Sequence, residues 1–319
     1  MRTVSTKKAI GEAHSKLILV GEHAVVYGKP AIAIPFPLKV KVITKELDGP
    51  IMLESNIYTG HIDKIPDKMK GLVLCIKEAL NKLNKPFYGL NILIDSSIPL
   101  GRGLGSSAAV AIASVKSLFS FFEHKLSNKD LFFLVQVAEN YAHGISSGID
   151  TAAELSGHPI WFQKGKEVLP IETKVPFYIA VGDTGRIGDT RTAVENVRKK
   201  YISHPMEVKY SLEEIEKAAA SARNSLIESD FNHLGKLLNY THERLVSLGV
   251  SDEGLDKLVQ AAKDAGALGA KLTGGGLGGC MLALAKNLEH AETIAKELIK
   301  AGASKSWYFS SEENILYSP

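Results

Sequence analysis

Three dense glycine clusters constrain this 319-residue chain more than any other feature. They hold ten of its 28 glycines. They run from Gly21 to Gly28 (GEHAVVYG), from Gly101 to Gly105 (GRGLG, followed by Ser106 and Ser107) and from Gly274 to Gly279 (GGGLGG). Clustered glycine marks backbone at positive φ, or backbone closely approached by another group. Any one cluster is compatible with an ordinary tight turn. Three of them, one opening a helix, point instead to an anion or phosphate held by backbone N–H groups.

The middle cluster lies between an apolar strand, Leu90 to Asp95, and a run of small and apolar residues from Ser106 that reads as a buried helix. Known glycine motifs fail on context. The pairs Gly28-Lys29, Gly165-Lys166 and Gly235-Lys236 are followed by Pro, Glu and Leu. None supplies the Ser/Thr of a Walker A loop. Gly103-x-Gly105-x-x-Ala108 has dinucleotide-fingerprint spacing, but Ser96 to Leu100 separate it from its strand. Gly274-x-Gly276-x-x-Gly279 leads into a strand rather than a helix. Gly144-Ile-Ser146-Ser-Gly148 has nucleophile-elbow spacing, yet a helix precedes it where a strand is required. What survives is Gly101–Ser107 as a loop feeding a helix. Its two hydroxyls either cap that helix or contact phosphate and a phosphate-borne Mg²⁺.

The length predicts about two domains, and 45% apolar with 23% charged residues suits a soluble folded protein. Lys plus Arg exceed Asp plus Glu by only 38 to 35, with no dense basic run, so nucleic acid is not an expected partner. Cys75 and Cys280 allow at most one disulfide and no metal cluster, which points to the cytoplasm. No run reaches the ~18 apolar residues of a membrane span, and no signal-peptide core is present.

Strands are expected within 17–44, at 90–95, from 177 to 184, after Gly279 and at 305–309. Helices are expected at 68–84, from 106, and from 127 to 144. Further helices are predicted at 191–203, at 211–228 (opened by a capping box Ser211-x-x-Glu214), at 230–248, at 252–265 and at 287–302. The texture changes near 170, which sets domains at 1–170 and 171–319. Glu139 on one helix and Asp150 just past its end are candidate acids. Each alone reads as a surface carboxylate. Beside a phosphate loop and Lys16 they make a coherent metal-and-base set.

These residues resemble the GHMP small-molecule kinases, and within them the branch that acts on mevalonate. The resemblance rests on KLILVGEHAVVYGKPAIA (16–33), PLGRGLGSSAA (99–109) and KLTGGGLGGC (271–280), in order along the chain. The stretch from Glu139 to Asp150 adds to it. The resemblance implies an α+β, two-domain fold, with an N-terminal domain of the ribosomal protein S5 domain 2-like type and a ferredoxin-like C-terminal domain. It implies ATP and Mg²⁺ as cofactors, and mevalonate as small-molecule substrate, phosphorylated at a step of isoprenoid-precursor synthesis. It also implies a homodimer.

Carried over by position, Pro99, Leu100, Gly101, Arg102, Gly103, Leu104, Gly105, Ser106, Ser107 and Ala108 would wrap the ATP phosphates, supported by Gly274, Gly275 and Gly276. Ser107 and Glu139 would hold the metal. Asp150 would be the catalytic base with Lys16 beside it, and Glu22, His23, Asp150 and Thr190 would line the substrate site. Longer members carry a basic residue and a serine before that threonine, where this chain has Gly188-Asp189. Arg186 and Arg191 are therefore the candidates for an anionic substrate. Alternatives are kinases of phosphomevalonate, homoserine or sugars, the related diphosphomevalonate decarboxylase, and a sensor without turnover. Retention of Lys16, Glu139 and Asp150 favours kinase chemistry. A carboxylate is a weak base for an alcohol, so Asp150 is expected to orient the hydroxyl and accept its proton late, while Lys16 neutralises charge on the phosphoryl group.

Overall fold

The computed structural model describes residues 7–143, 147–312 and 315–319. Gly144 and Ser146 of the G-x-S-x-G match lie outside the described residues. In chain order the first elements are β1 (Lys8–Val20), β2 (Ala31–Glu46), β3 (Met52–Ser55), β4 (Tyr58–His61), α1 (Lys70–Lys82) and β5 (Leu90–Ser96). There follow α2 (Ser106–Phe121), α3 (Asn128–His143), α4 (Ile149–Leu155), β6 (Ile160–Phe162), β7 (Leu169–Pro170) and β8 (Tyr178–Asp183). The remainder is α5 (Thr190–Ser203), α6 (Pro205–Glu228), α7 (Phe231–Ser247), α8 (Glu253–Asp264), β9 (Gly269–Thr273), β10 (Cys280–Ala285), α9 (Leu288–Lys300) and β11 (Lys305–Ser310).

Contacts divide the chain into two compact units, neither of them a single stretch. One is Met1–Ser15, Leu38–Pro99 and Gly105–Leu155; the other is Lys16–Pro37, Leu100–Leu104 and Ser156–Pro319. This differs from a single cut at 170/171. The long strands β1 and β2 each give residues to both units, so no one peptide bond separates them.

In the first unit, Val40–Glu46 of β2 pair antiparallel with β5. Strand β3 runs parallel to β5 and antiparallel to β4. Helices α1, α2 and α3 pack on one another, and α4 packs on α2 and α3. The small residues of α2 have a cause in β1, whose inward positions are Gly11, Ala13 and Ser15. A Cβ on Gly11 would lie 2.0 Å from the Ala113 carbonyl oxygen, so helix backbone rests directly on strand backbone. Ser117 Oγ then donates to the Ala9 carbonyl at 3.2 Å and shares a 2.7 Å hydrogen bond with Thr44 Oγ1.

In the second unit, the spatial order β11-β8-β10-β9 is antiparallel throughout. Numbered along the chain that order is 4-1-3-2, the ferredoxin-like arrangement expected for this half. Helices α8 and α9 pack on the sheet and α7 along β9, while α5, α6 and α7 pack in succession. Strands β9 and β10 are buried at every residue.

Two local expectations are corrected. Ala24–Tyr27 forms a 3-10 turn rather than a strand, because Gly21 (φ +115°) and His23 (φ +61°) turn the backbone before it. Helix α6 begins at Pro205, not at a capping box on Ser211. Proline at the first helical position needs no N–H there, and Ser211 sits buried inside the helix. Glu214 accepts from Lys217 Nζ and from the Tyr240 hydroxyl instead. The first half of β1 and the β3–β4 hairpin read as strand only in the structure. Likewise α4, a two-turn helix too short to show periodicity, is evident only in the structure.

Candidate active site

Loop Leu100–Leu104 is gripped by backbone. Gly101, Gly103 and Gly105 have φ of +66°, +75° and +77°, in the left-handed region. A Cβ on Gly103 would lie 3.0 Å from the Thr273 carbonyl oxygen, and one on Gly274 would lie 2.7 Å from Gly103 Cα. The second and third glycine clusters therefore stack on each other with no room for side chains. Gly188 N–H donates to the Gly101 carbonyl at 2.8 Å, and Lys16 N–H donates to that of Leu104 at 3.3 Å. Lys16 is buried, and its Nζ donates to the Gly103 carbonyl at 2.9 Å. The Arg102 side chain is engaged within the protein. Its Nε reaches both Asp183 oxygens at 3.1 and 3.2 Å, and its Nη2 donates to the Gly185 carbonyl at 2.6 Å. The guanidinium thus ties the loop to the end of β8.

Gly275 joins two expected substrate residues. His23 Nε2 bonds to its carbonyl at 2.9 Å, and a Cβ on it would lie 2.4 Å from Thr190 Oγ1. Burial holds the His23 ring down to about 4, so it is neutral with its proton on Nε2. Thr190 opens α5, whose N-cap is Asp189. Asp189 accepts from Thr192 N–H at 2.9 Å and from the Thr192 hydroxyl at 2.5 Å. Those bonds hold its carboxyl below the usual range. Asp189 is thus accounted for as a helix cap. Of the two arginine candidates, Arg186 is ion-paired with Asp252, while Arg191 is exposed in the first turn of α5.

Glu22 does not face solvent. Its Oε1 accepts from Lys271 Nζ, and both side chains are fully buried. Burial pushes the carboxyl up and the ammonium down, and the pair's own attraction opposes both shifts. Glu22, expected at the substrate site, is half of an interior ion pair. Two residues on from Lys271, Thr273 Oγ1 donates to the Ile18 carbonyl and accepts from Ile18 N–H, each at 3.0 Å.

In the first unit, α2 starts at Ser106 behind a left-handed Gly105, with no side-chain cap. Neither serine caps the helix. Ser106 Oγ is buried with no hydrogen-bond partner among the described residues, and Ser107 is exposed. Ala108 is fully buried. Glu139 on α3 is buried. Burial, then the Glu139 charge, pushes the neighbouring Cys75 thiol up to about 12. Asp150 is half-buried in the first turn of α4. That helix is fixed by Gln136 Nε2, which donates to Thr151 Oγ1 at 3.1 Å, and by the left-handed turn at Gly148 (φ +85°) against Phe132.

Lys16, Leu100–Leu104, Glu22, His23, Thr190 and Gly274–Gly276 thus assemble within the second unit. Pro99, Gly105–Ala108, Glu139 and Asp150 belong to the first. No group of three or more His, Cys, Asp or Glu among the described residues could hold a metal by itself. Two residues went unnoticed in the sequence. Lys271 interrupts an apolar strand, and a charge there needs a buried partner. Asp183 ends a second apolar strand in the same way.

Residues 70–158 match the GHMP kinases N terminal domain, and residues 211–304 match the GHMP kinases C terminal domain. The chain is 38% identical to the mevalonate kinase of Pyrococcus furiosus, across 90% of this chain and 92% of that relative. The crystal structure of L. major mevalonate kinase in complex with R-mevalonate superposes with a TM-score of 0.82 at 26% identity, covering 96% of each chain. The mevalonate kinase of Methanococcus jannaschii superposes with a TM-score of 0.79 at 29% identity, covering 96% of this chain and 98% of that one. The chain belongs to the GHMP kinase family. Its similarity to the mevalonate kinases among them runs nearly end to end.

Proposed function

We propose that this chain transfers the terminal phosphoryl group of ATP to the alcohol of mevalonate, giving 5-phosphomevalonate. One observation carries the assignment: a left-handed glycine loop opens an uncapped helix, in a chain 38% identical over nine-tenths of its length to a mevalonate kinase. Phosphoryl transfer passes through a loose transition state, so the protein's work is placement and charge compensation. Backbone N–H groups of the Gly101–Ser107 loop and the positive end of α2 would receive the phosphates. The buried unpartnered Ser106 hydroxyl supports a polar ligand there. Mg²⁺ would be held by Ser107 and Glu139, and when bound it neutralises phosphate charge.

Lys16 adds positive charge beside the loop, its Nζ anchored on the Gly103 carbonyl. Asp150 orients the substrate hydroxyl and takes its proton late in transfer. Neutral His23 and the Thr190 hydroxyl offer polar contacts to the substrate, and Arg191 is the cation assigned to its carboxylate. The chain works as a homodimer in the cytoplasm. Two free, buried cysteines suit that compartment, and light scattering tests the dimer. Among the described residues no helix is long and apolar enough to cross a membrane.

The deciding experiment is ATP consumption across mevalonate, phosphomevalonate, homoserine and galactose. Turnover of mevalonate alone is expected. Preference for any of the others overturns the substrate while leaving the family intact.

A further inference from the structure

We propose that Lys271 is a positioning residue for phosphoryl transfer, locking the substrate-side turn of the first glycine motif onto the strand that carries the third. The proposal rests on the kinase function above and deepens it. An interior Lys–Glu pair is seldom a net source of stability, because stripping water from both charges offsets their attraction. A well-packed apolar pair would serve β9 at least as well. The pair makes sense where it fixes a geometry.

Three cross-links join the two motifs. Thr273 Oγ1 both donates to and accepts from the backbone of Ile18 at 3.0 Å. Lys271 Nζ donates to Glu22 Oε1 and, at 2.6 Å, to the Leu272 carbonyl. His23 Nε2 bonds to the Gly275 carbonyl at 2.9 Å. Thr273 and Lys271 are two residues apart on β9 and so project to the same face.

His23 needs the middle link most. Its φ of +61° is disfavoured for a residue with a side chain, so surrounding contacts must hold it. Glu22, its chain neighbour, is clamped by Lys271, and the His23 ring is clamped by Gly275. The consequence reaches the phosphate loop. Gly274 adjoins Gly275 and backs Gly103, whose carbonyl anchors Lys16. A slip of β1 along β9 would therefore move the substrate side and the phosphate side against each other.

The test compares Lys271→Met, Glu22→Gln, the double variant and Glu22→Asp with wild type, by urea denaturation and by kinetics in ATP and mevalonate. Each single neutral variant leaves one buried charge alone and should lose stability. The double variant removes both charges and should recover a near-wild-type urea midpoint. With its clamp gone, it should still lose about 10–100-fold in kcat/KM for mevalonate, while KM for ATP stays within about twofold. Glu22→Asp keeps the charge but shortens its reach, and should show the same split at about 3–10-fold.

Wild-type kinetics in Lys271→Met or in the double variant overturn the proposal, since the pair would then be structural only. If the double variant fails to fold, wild-type kinetics in Glu22→Asp overturn it equally. A wild-type chain that leaves mevalonate unphosphorylated refutes the assigned function instead. Normal wild type beside normal variants refutes only the role of Lys271.

Discussion

Gly274→Ala offers a sharp test of the stacked glycine loops, because its two penalties can be measured apart. Gly274 has φ +81°, and an added Cβ would lie 2.7 Å from Gly103 Cα and 2.8 Å from its carbonyl oxygen. Carbon atoms in contact sit at about 3.5–4.0 Å. Gly103 and the phosphate loop must therefore yield by about 0.8 Å, and both opposing atoms are backbone. A side chain in the left-handed region costs about 1–2 kcal/mol. Overpacking adds about 1–3 kcal/mol, so a loss of about 2–5 kcal/mol is expected. Gly165→Ala supplies the control. It has φ +78° with nothing within 4 Å of its Cβ position, so it carries the backbone term alone. Urea melts should separate the variants by the overpacking term. Displacing the loop by nearly 1 Å should cost about 10²-fold in kcat/KM for ATP, while Gly165→Ala keeps its activity. A stable Gly274→Ala enzyme with the kinetics of Gly165→Ala would refute the claim that the third cluster holds the phosphate loop.

Asp150→Ala should lower kcat by about 10²–10⁴-fold with little change in the KM for ATP, and a variant with near-normal kcat removes Asp150 from the chemistry. Ser107→Ala and Glu139→Gln should raise the Mg²⁺ concentration needed for half-maximal rate. An unchanged metal titration counts against both as ligands. Stability should fall on acidification from about pH 6.5 to about 4. Burial holds His23 and His242 down to about 4, whereas the unfolded chain protonates them near 6.5. The unfolded state binds more protons throughout that window, so each histidine withdraws about 2–3 kcal/mol as the pH falls through it. Urea midpoints across that range check the slope, and His242→Gln should remove about half of it.

What was legible in the sequence follows from side-chain size and periodicity. Helix α9 and strand β5 repeat large apolar residues at the period of their element, β8 and β10 read as unbroken apolar runs, and the ferredoxin-like order was implied by the family resemblance. Strand β1 was half hidden for the opposite reason. Its inward residues, Gly11, Ala13 and Ser15, are small because α2 lies against its backbone, so burial leaves no hydrophobic alternation to see. Ser211 and Glu214 have the spacing of a helix start, but spacing does not tell a cap from an internal buried serine. Pro205, six residues earlier, marks the true beginning.

The site was legible where its chemistry lies in backbone, and obscure where it lies in long-range pairing. Glycines that must adopt positive φ leave a record, since few other residues go there. The glycine loop proposed for phosphate could therefore be located before its surroundings were known. A charged residue records only that it has a partner. Arg102 looked like a ligand contact, as it sits between two such glycines, yet its partner is Asp183, 81 residues away along the chain. Glu22 looked like a substrate contact, yet its partner Lys271 is 249 residues distant. Asp189 looked like a carboxylate set against an anionic substrate, and is a helix cap three residues from its donor. Arg102, Glu22 and Asp189 each engage another protein group. The residues proposed for the substrate are neutral His23, the Thr190 hydroxyl, Asp150 and Arg191. An alcohol bearing a single carboxylate suits that set better than a phosphorylated one, whose higher charge would call for more cations.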